Sequence, residues 1–385
     1  MKVVFITNYV HHHQVPLADE FYKTLGDNYK YIAVEKLPDW LIKGGYDPTI
    51  SRPYIIKAYE NDNKSIDTYQ LAYEADVVII GSAPEEYVTE RIKVGKLTFR
   101  YNERWFKTKP WYLSGPRAWI NFYKNHIKFR NKPLYMLAAS AYTANDVYAI
   151  GAYKNKVYKW GYFTAVPEDY KVEASEQDDS TLGITPRIMW CSRFLKLKHP
   201  ELPVMLAARL KKEGYRFVLN MYGSGEELES TKALVQDLDV EDVVSFCGNL
   251  PNKEILLAMR RHQIFLFTSD KNEGWGAVLN ESMSNGCAVV ASNKIGATPF
   301  LIKDGENGLI FESENINSLY EKVKILLEDE ELRKRISYNA YRTMNEVWNP
   351  KIAAINFIEL AKSLQIGKEI TIVDGPCSKA YPCKL

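Results

Sequence analysis

Two carboxylates, Glu273 and Glu281, bracket a glycine-rich turn, Gly274-Trp275-Gly276, that opens a short helix through Ala277 and Val278. Glycines let backbone N–H groups approach a ligand with no Cβ in the way. A helix N-terminus adds unpaired amide donors and a partial positive charge that suits an anion. Glu273 precedes the turn and Glu281 lies about two turns into the helix, so two acceptors flank whatever the amides hold. That combination fits a hydroxyl-rich, phosphorylated ligand such as a nucleotide sugar.

Other strand-end loops carry related chemistry. Arg193 and Lys198 stand five apart after an apolar run, where two cations could clamp a diphosphate; a plain basic surface loop is the alternative. Gly223-Ser224-Gly225 also follows an apolar run. A dinucleotide fingerprint wants a third glycine where Leu228 stands, which disfavours nicotinamide and leaves a tight turn beside a phosphate. The turn around Asn249 could offer backbone to a nucleobase edge, and an ordinary turn explains it as well. Asp237-Leu238-Asp239 resembles a divalent-cation pair, but lies away from these loops and reads as surface.

These loops need strands to hold them. Candidate strands are Val3–Thr7, Tyr29–Val34, Asp76–Gly81, Leu134–Ala139 and Val157–Trp160, then Arg187–Cys191, Arg216–Met221, Val243–Cys247, Ile264–Thr268, Ala288–Ser292 and Gly308–Phe311. Helically spaced segments separate them. This alternation, with strands apolar on both faces, predicts parallel sheets covered by helices. The spacing predicts an α/β chain with an N-terminal domain over 1–165, a solvated linker over 166–185 and a second domain over 186–345. A helix over 346–366 with scope to return to the first domain follows, then a tail over 367–385. Ligands of such sheets bind at the carboxyl ends of strands, so a cleft is expected where two such domains face each other.

After the first strand come Asn8 and His11-His12-His13. Neighbours on an extended chain point alternately and cannot all face one ion, so no metal site is expected there. A donor or acceptor role towards sugar or phosphate is expected instead, with Asn8, His12, His13, Glu103 and Arg104 as the acceptor- or phosphate-side candidates. Between Arg91 and Lys132 twelve basic residues stand against one acidic residue, Glu103, interleaved with ten aromatic residues including Trp105, Trp111, Tyr112 and Trp119. Three readings follow: contact with an anionic membrane surface, which the mixture favours; a core with a solvated face; or nucleic acid, the weakest.

The chain has 385 residues, 46% hydrophobic and 25% charged, and a net charge of +2, so overall charge excludes little. No run approaches the roughly 18 apolar residues of a membrane span, and the opening apolar run is too short for a secretory signal. Five sparse cysteines, 191, 247, 287, 377 and 383, point to a reducing compartment, with the last two expected as free thiols in a disordered tail. The expected location is cytoplasmic, on the inner face of a membrane.

From Arg187 to Trp348 the chain resembles the retaining GT-B glycosyltransferases of group 1, or GT4, of bacterial surface-polysaccharide type. The resemblance rests on the Glu-x7-Glu pair Glu273 and Glu281, on Arg193 and Lys198, on Gly223-Ser224-Gly225 and on Gly305-Glu306-Asn307-Gly308. It implies two Rossmann-like domains and transfer of a hexose or N-acetylhexosamine from a nucleotide diphosphate sugar, UDP favoured over GDP. The implied acceptor is a glycan, with a lipid-pyrophosphate-linked one expected from the basic stretch. Arg193 and Lys198 would neutralise the leaving diphosphate, Glu281 would hold ribose hydroxyls and Glu273 sugar hydroxyls. Backbone at Gly274, Trp275, Gly276, Ala277 and Val278 would contact sugar and phosphate, and no metal or other cofactor would be needed. The family's N-terminal histidine has no clear counterpart here. A GT-B sugar-nucleotide epimerase and a non-catalytic membrane- or polysaccharide-binding protein are the alternatives.

Overall fold

A computed structural model describes residues 1–43, 46–60, 67–107, 115–167, 169–170, 172, 185–368 and 371–383. Most of the expected linker, and Lys109, Trp111 and Tyr112 of the basic stretch, lie outside these residues. The chain forms two compact units, Met1–Ala165 with Trp348–Leu385, and Val166–Val347.

The first unit is a seven-stranded sheet in the order β3-β2-β1-β4-β5-β6-β7. Its strands are β1 (Val3–Thr7), β2 (Tyr29–Ala33), β3 (Ile55–Lys57), β4 (Val77–Ile80), β5 (Thr98–Asn102), β6 (Leu134–Ala138) and β7 (Val157–Lys159), with every neighbouring pair parallel. Helices α1 (Val15–Leu25), α2 (Asp39–Lys43), α3 (Thr68–Glu74), α4 (Glu86–Lys93), α5 (Pro116–Asn125) and α6 (Thr143–Ala149) connect them. All five residues of β1 are buried, as a strand covered on both faces requires. A long terminal helix, which becomes α14 in chain order (Pro350–Gln365), belongs to this unit. Asn349 caps it by accepting from the Ile352 N–H at 2.9 Å. Its Phe357 ring lies 4.9 Å from Phe99 and 5.5 Å from Phe21.

The second unit is a six-stranded sheet in the order β10-β9-β8-β11-β12-β13. Its strands are β8 (Arg187–Cys191), β9 (Val218–Tyr222), β10 (Val244–Gly248), β11 (Ile264–Phe267), β12 (Ala288–Ser292) and β13 (Leu309–Phe311), again parallel throughout. Helices α7 (Glu201–Lys212), α8 (Leu228–Asp237), α9 (Asn252–Met259), α10 (Ala277–Ser284), α11 (Thr298–Leu301), α12 (Ile316–Glu328) and α13 (Glu330–Arg342) surround it. Asn307 is buried, accepts from the Lys303 N–H and donates to Leu301 O and Thr343 Oγ1, so the Gly305–Gly308 segment is a structural turn before β13.

Three expectations are corrected. Strands β3 and β5 were absent from the sequence-based set. β3 is only three residues long, and β5 (Thr-Phe-Arg-Tyr-Asn) hides in the basic aromatic stretch. That stretch is not one surface. Arg91 is 1% exposed and donates to the carbonyls of Ala72, Ala75 and Leu97 and to Thr98 Oγ1; Arg100 pairs with Glu85; and Arg104, 8% exposed, lies 3.7 Å from Asp146. A guanidinium has five donors in a planar fork; Arg91 spends its fork on interior acceptors, and Arg100 and Arg104 turn inward towards carboxylates. Finally, the tail is ordered. Lys159 N–H donates to Ser378 O at 2.7 Å, and Cys377 and Ala380 N–H donate to Lys159 and Val157 carbonyls. β7 is a sheet edge with unpaired backbone groups, and the tail covers it. Cys377 is buried there, and both tail cysteines are free thiols.

Replacing Arg91 by Met strands three buried carbonyls, each costing about 1–3 kcal/mol when unpaired. The expected outcome is a fall of several kcal/mol in the stability of the first unit, read by denaturant unfolding, with no change in affinity for anionic vesicles.

Candidate active site

The second unit builds its site from the carboxyl ends of β8, β9, β10 and β11. After β8 the chain turns through Ser192, Arg193 and Phe194 while Gly223 and Gly225 follow β9. Ser192 N–H donates to Tyr222 O, Phe194 N–H to Ser224 O and Gly223 N–H to Gly248 O, at 2.8–3.1 Å. The two loops touch backbone to backbone. A Cβ on Gly223 would lie 1.9 Å from Ser192 O and one on Gly225 would lie 2.4 Å from Phe194 O; both have positive φ. The glycines therefore place the Arg193 loop. Arg193 is exposed and its side chain has no partner among the described residues, so it is free to meet an anion.

Lys198 reaches the other loop. It forms an ion pair with Glu273, with side chains 12% and 14% exposed. Glu273 follows β11 in a turn pinned by Asp270 N–H to Leu197 O at 3.0 Å and Glu273 N–H to Asp270 O at 3.1 Å. Behind it, Thr268 Oγ1 donates to Lys198 O at 2.6 Å and accepts from the Trp190 indole at 2.9 Å. The cation and the carboxylate neutralise each other.

Helix α10 begins at Gly276, whose φ is +89° and whose added Cβ would meet the Phe267 ring at 2.5 Å. No side chain caps this helix, so the first-turn N–H groups at Ala277 and Val278 are open to an anion. Trp275 is fully buried and donates to Asn280 Oδ1 at 2.8 Å. The indole shapes the turn, and the Trp275 backbone, the part expected to contact a donor, is what remains for one. Glu281 accepts from Asn252 Nδ2 at 3.1 Å, and burial pushes its carboxyl up to about 7, a shift the Asn252 bond partly offsets. Asn249 is exposed beside Asn252 at the end of β10. Asp239 is a solvated residue beside Lys211, away from these loops.

In the first unit the histidines occupy a turn leading into α1, where an extended chain was expected. Their rings gather on Tyr46, with His12 at 4.3 Å and His13 at 3.8 Å from His12. Burial lowers all three, His11 to about 4 and His13 to about 3, so they are neutral near pH 7. Asn8 Oδ1 accepts from Thr7 Oγ1 and lies 3.2 Å from His11 Nε2. Glu103 accepts from Lys107 at 2.8 Å and from Tyr162 at 3.0 Å, and the Tyr162 ring lies 6.1 Å from His13. Asn8, His12, His13 and Glu103 thus gather at one end of this sheet, while Arg104 turns inward. His126 is also interior, against Tyr153 and Trp105.

Residues 178–343 match the family described as Glycosyl transferases group 1. The match lies within the second unit. An N-acetylgalactosaminyltransferase of Campylobacter jejuni acting on a diphospho-undecaprenol glycan is 34% identical over 149 residues, 38% of this chain and 39% of that one. A poly(glycerol-phosphate) alpha-glucosyltransferase of Bacillus subtilis is 28% identical over 168 residues, 44% of this chain and 24% of that one. The chain thus spans under half the length of these curated relatives. Among solved structures, a glycosyltransferase from Rickettsia africae superposes with a TM-score of 0.68 at 17% identity, over 95% of this chain and all of that one. HepE of Anabaena in complex with UDP gives 0.65 at 14% identity, with the same coverage. These likenesses show the fold, two Rossmann-like parallel-sheet domains of the GT-B class.

The sequence motifs singled out Glu273, Glu281, Arg193 and Lys198, but not the residues that hold them in place, Asn252, Thr268, Asp270 and Trp190. Asn252 carries the only available signal, an amide at a helix start just after the Asn249 turn.

The Glu281 shift has a pH consequence. A carboxyl whose folded pKa is raised stabilises the protein below its unfolded value near 4.5, and that contribution is lost as pH rises through about 7. The stability difference between wild type and Glu281→Gln should therefore move in favour of the variant from pH 6 to 8, read by thermal melts without ligand. Hydroxyl acceptance needs the ionised carboxylate, so wild-type affinity for a nucleotide sugar should climb over that range and the variant's should be weaker and flat.

Proposed function

We propose that this chain is a retaining glycosyltransferase that moves a hexose or N-acetylhexosamine from a nucleotide diphosphate sugar, UDP in preference to GDP, to a glycan acceptor in surface-polysaccharide synthesis. The observation that carries the reading is the Lys198–Glu273 pair beside the uncapped start of α10, with Arg193 unpartnered nearby. Arg193, Lys198 and the Ala277 and Val278 amides would gather charge on the β-phosphate as the bond from the anomeric carbon to the phosphate oxygen breaks. The acceptor oxygen bonds to that carbon on the same face, and its proton passes to the departing phosphate oxygen. Glu281 would hold ribose hydroxyls and Glu273 sugar hydroxyls. Two cations and a helix terminus supply the charge that a metal ion would otherwise bring, so the transfer step is proposed to need none.

Replacing Lys198 by Ala should weaken UDP binding about 10- to 100-fold, the range of a lost charge-assisted bond. It should change uridine binding less than twofold, both read by calorimetry. Equal losses for UDP and uridine would remove the clamp from the reading. Product from the donor alone, without acceptor, would favour epimerase chemistry.

The acceptor is proposed to be lipid-pyrophosphate-linked, in line with the Campylobacter relative's diphospho-undecaprenol substrate. Among the described residues, no helix is long and apolar enough to cross a membrane. Helix α5 supports a peripheral cytoplasmic-face location. None of its residues is buried; Trp119, Ile120 and Tyr123 fall on one arc, and Arg117 and Lys124 on the other. Ile120 and Tyr123 are 52% and 59% exposed, and Phe122 holds the helix through Trp105, stacked at 5.5 Å. Ile120→Glu with Tyr123→Glu should lower binding to anionic vesicles at least tenfold in a sedimentation assay while leaving UDP affinity unchanged.

A further inference from the structure

One group of metal-ligating side chains lies beside the site, and the ligand roles above use none of its side chains. His199, Asp270 and Glu314 bring one ligand atom each to within 4.8 Å of one another, the only such group of three among the described residues. They come from three places at the carboxyl ends of strands in the second unit: the loop after β8, the loop after β11 and the segment after β13. His199 and Glu314 both sit at positive φ, +50° and +63°, where glycine would be easier, so the backbone alone does not explain these residue types.

The hydrogen bonding at His199 is directional. Nδ1 lies 2.7 Å from Glu201 Oε1, a bond that raises the imidazole's affinity for a proton and turns Nε2 inward. Nε2 is shielded from solvent, makes no hydrogen bond and stands 3.6 Å from Asp270 Oδ2, beyond hydrogen-bond length. Asp270 is itself held by the Asn272 N–H and side-chain amide, at 2.8 and 3.1 Å. A divalent cation would displace the proton from Nε2 and stand between the ring and the two carboxylates. An imidazole nitrogen and two carboxylates, with an outer carboxylate fixing the tautomer, are the donor set and support that Zn2+ takes. Ligand distances of about 2.0–2.2 Å to Zn2+ place ligand atoms roughly 3.5 Å apart, close to the separation of Nε2 and Asp270.

We propose that His199, Asp270 and Glu314 form a binding site for a divalent transition metal, Zn2+ by donor type, with Glu201 as the outer carboxylate. The ion would not touch reacting atoms. It would tie the loop that ends in Lys198 to the loop that carries Glu273, since His199 follows the first and Asp270 stands three residues before the second.

The test is calorimetric titration of the metal-free full chain with ZnCl2, with Co2+ absorption as a second readout. The wild type should bind one equivalent that His199→Ala and Asp270→Asn both lose and Glu314→Gln weakens at least tenfold. Each variant should keep the wild-type circular dichroism spectrum and melting temperature in EDTA. Cobalt should give a visible ligand-field band that His199→Ala abolishes. A stoichiometry unaltered by His199→Ala would overturn the site, whatever ions bind elsewhere. So would a histidine NMR titration showing His199 as an imidazolium at pH 7.5 with no displacement by Zn2+.

Discussion

The site of the second unit depends on a backbone-to-backbone contact. The loop Ser192–Phe194 lies against Gly223–Gly225 so closely that no side chain fits between them. That contact fixes where Arg193 emerges, and the same loops continue into the pinned turn that brings Lys198 to Glu273. The strands supply position, because parallel neighbours end side by side and present their loops at one edge. The glycines turn that position into contact by removing Cβ atoms where two carbonyl-bearing loops cross.

Electrostatics add a second constraint: Lys198 is paired with Glu273, and burial raises the Glu281 carboxyl to about 7. Only Arg193 and the first amides of α10 are left open. A ligand with phosphate and hydroxyl groups completes both kinds of partner at once, whereas a simple anion completes one.

The first unit shows how composition misleads when it is read without packing. Its basic aromatic stretch contains an interior strand, β5, and three inward arginines, while the amphipathic surface is confined to α5. Arg91 is the clearest case: its guanidinium serves as a hydrogen-bonding bracket for the carbonyls that end α3 and precede β5. Charge counted along a sequence takes every arginine as surface, and a fork with five donors is the side chain most able to violate that assumption.

Much was legible from residue types alone. All eleven proposed strands coincide with observed ones to within two residues at each end, because strands covered on both faces must be apolar throughout. Glu273, Glu281, Arg193 and Lys198 stood out because charged residues and glycines interrupt the pattern just after apolar runs, and the structure brings Lys198 to Glu273. What the sequence left open was decided by contacts between distant segments. The glycines of 223–225 serve a neighbouring loop, Trp275 points inward, and Arg104 meets Asp146. The tail pairs with the edge of β7, and His199 faces Asp270 and Glu314. Periodicity reports which face of an element is apolar. It carries no record of which remote backbone or side chain will occupy the space beside it, and only the folded chain supplies that.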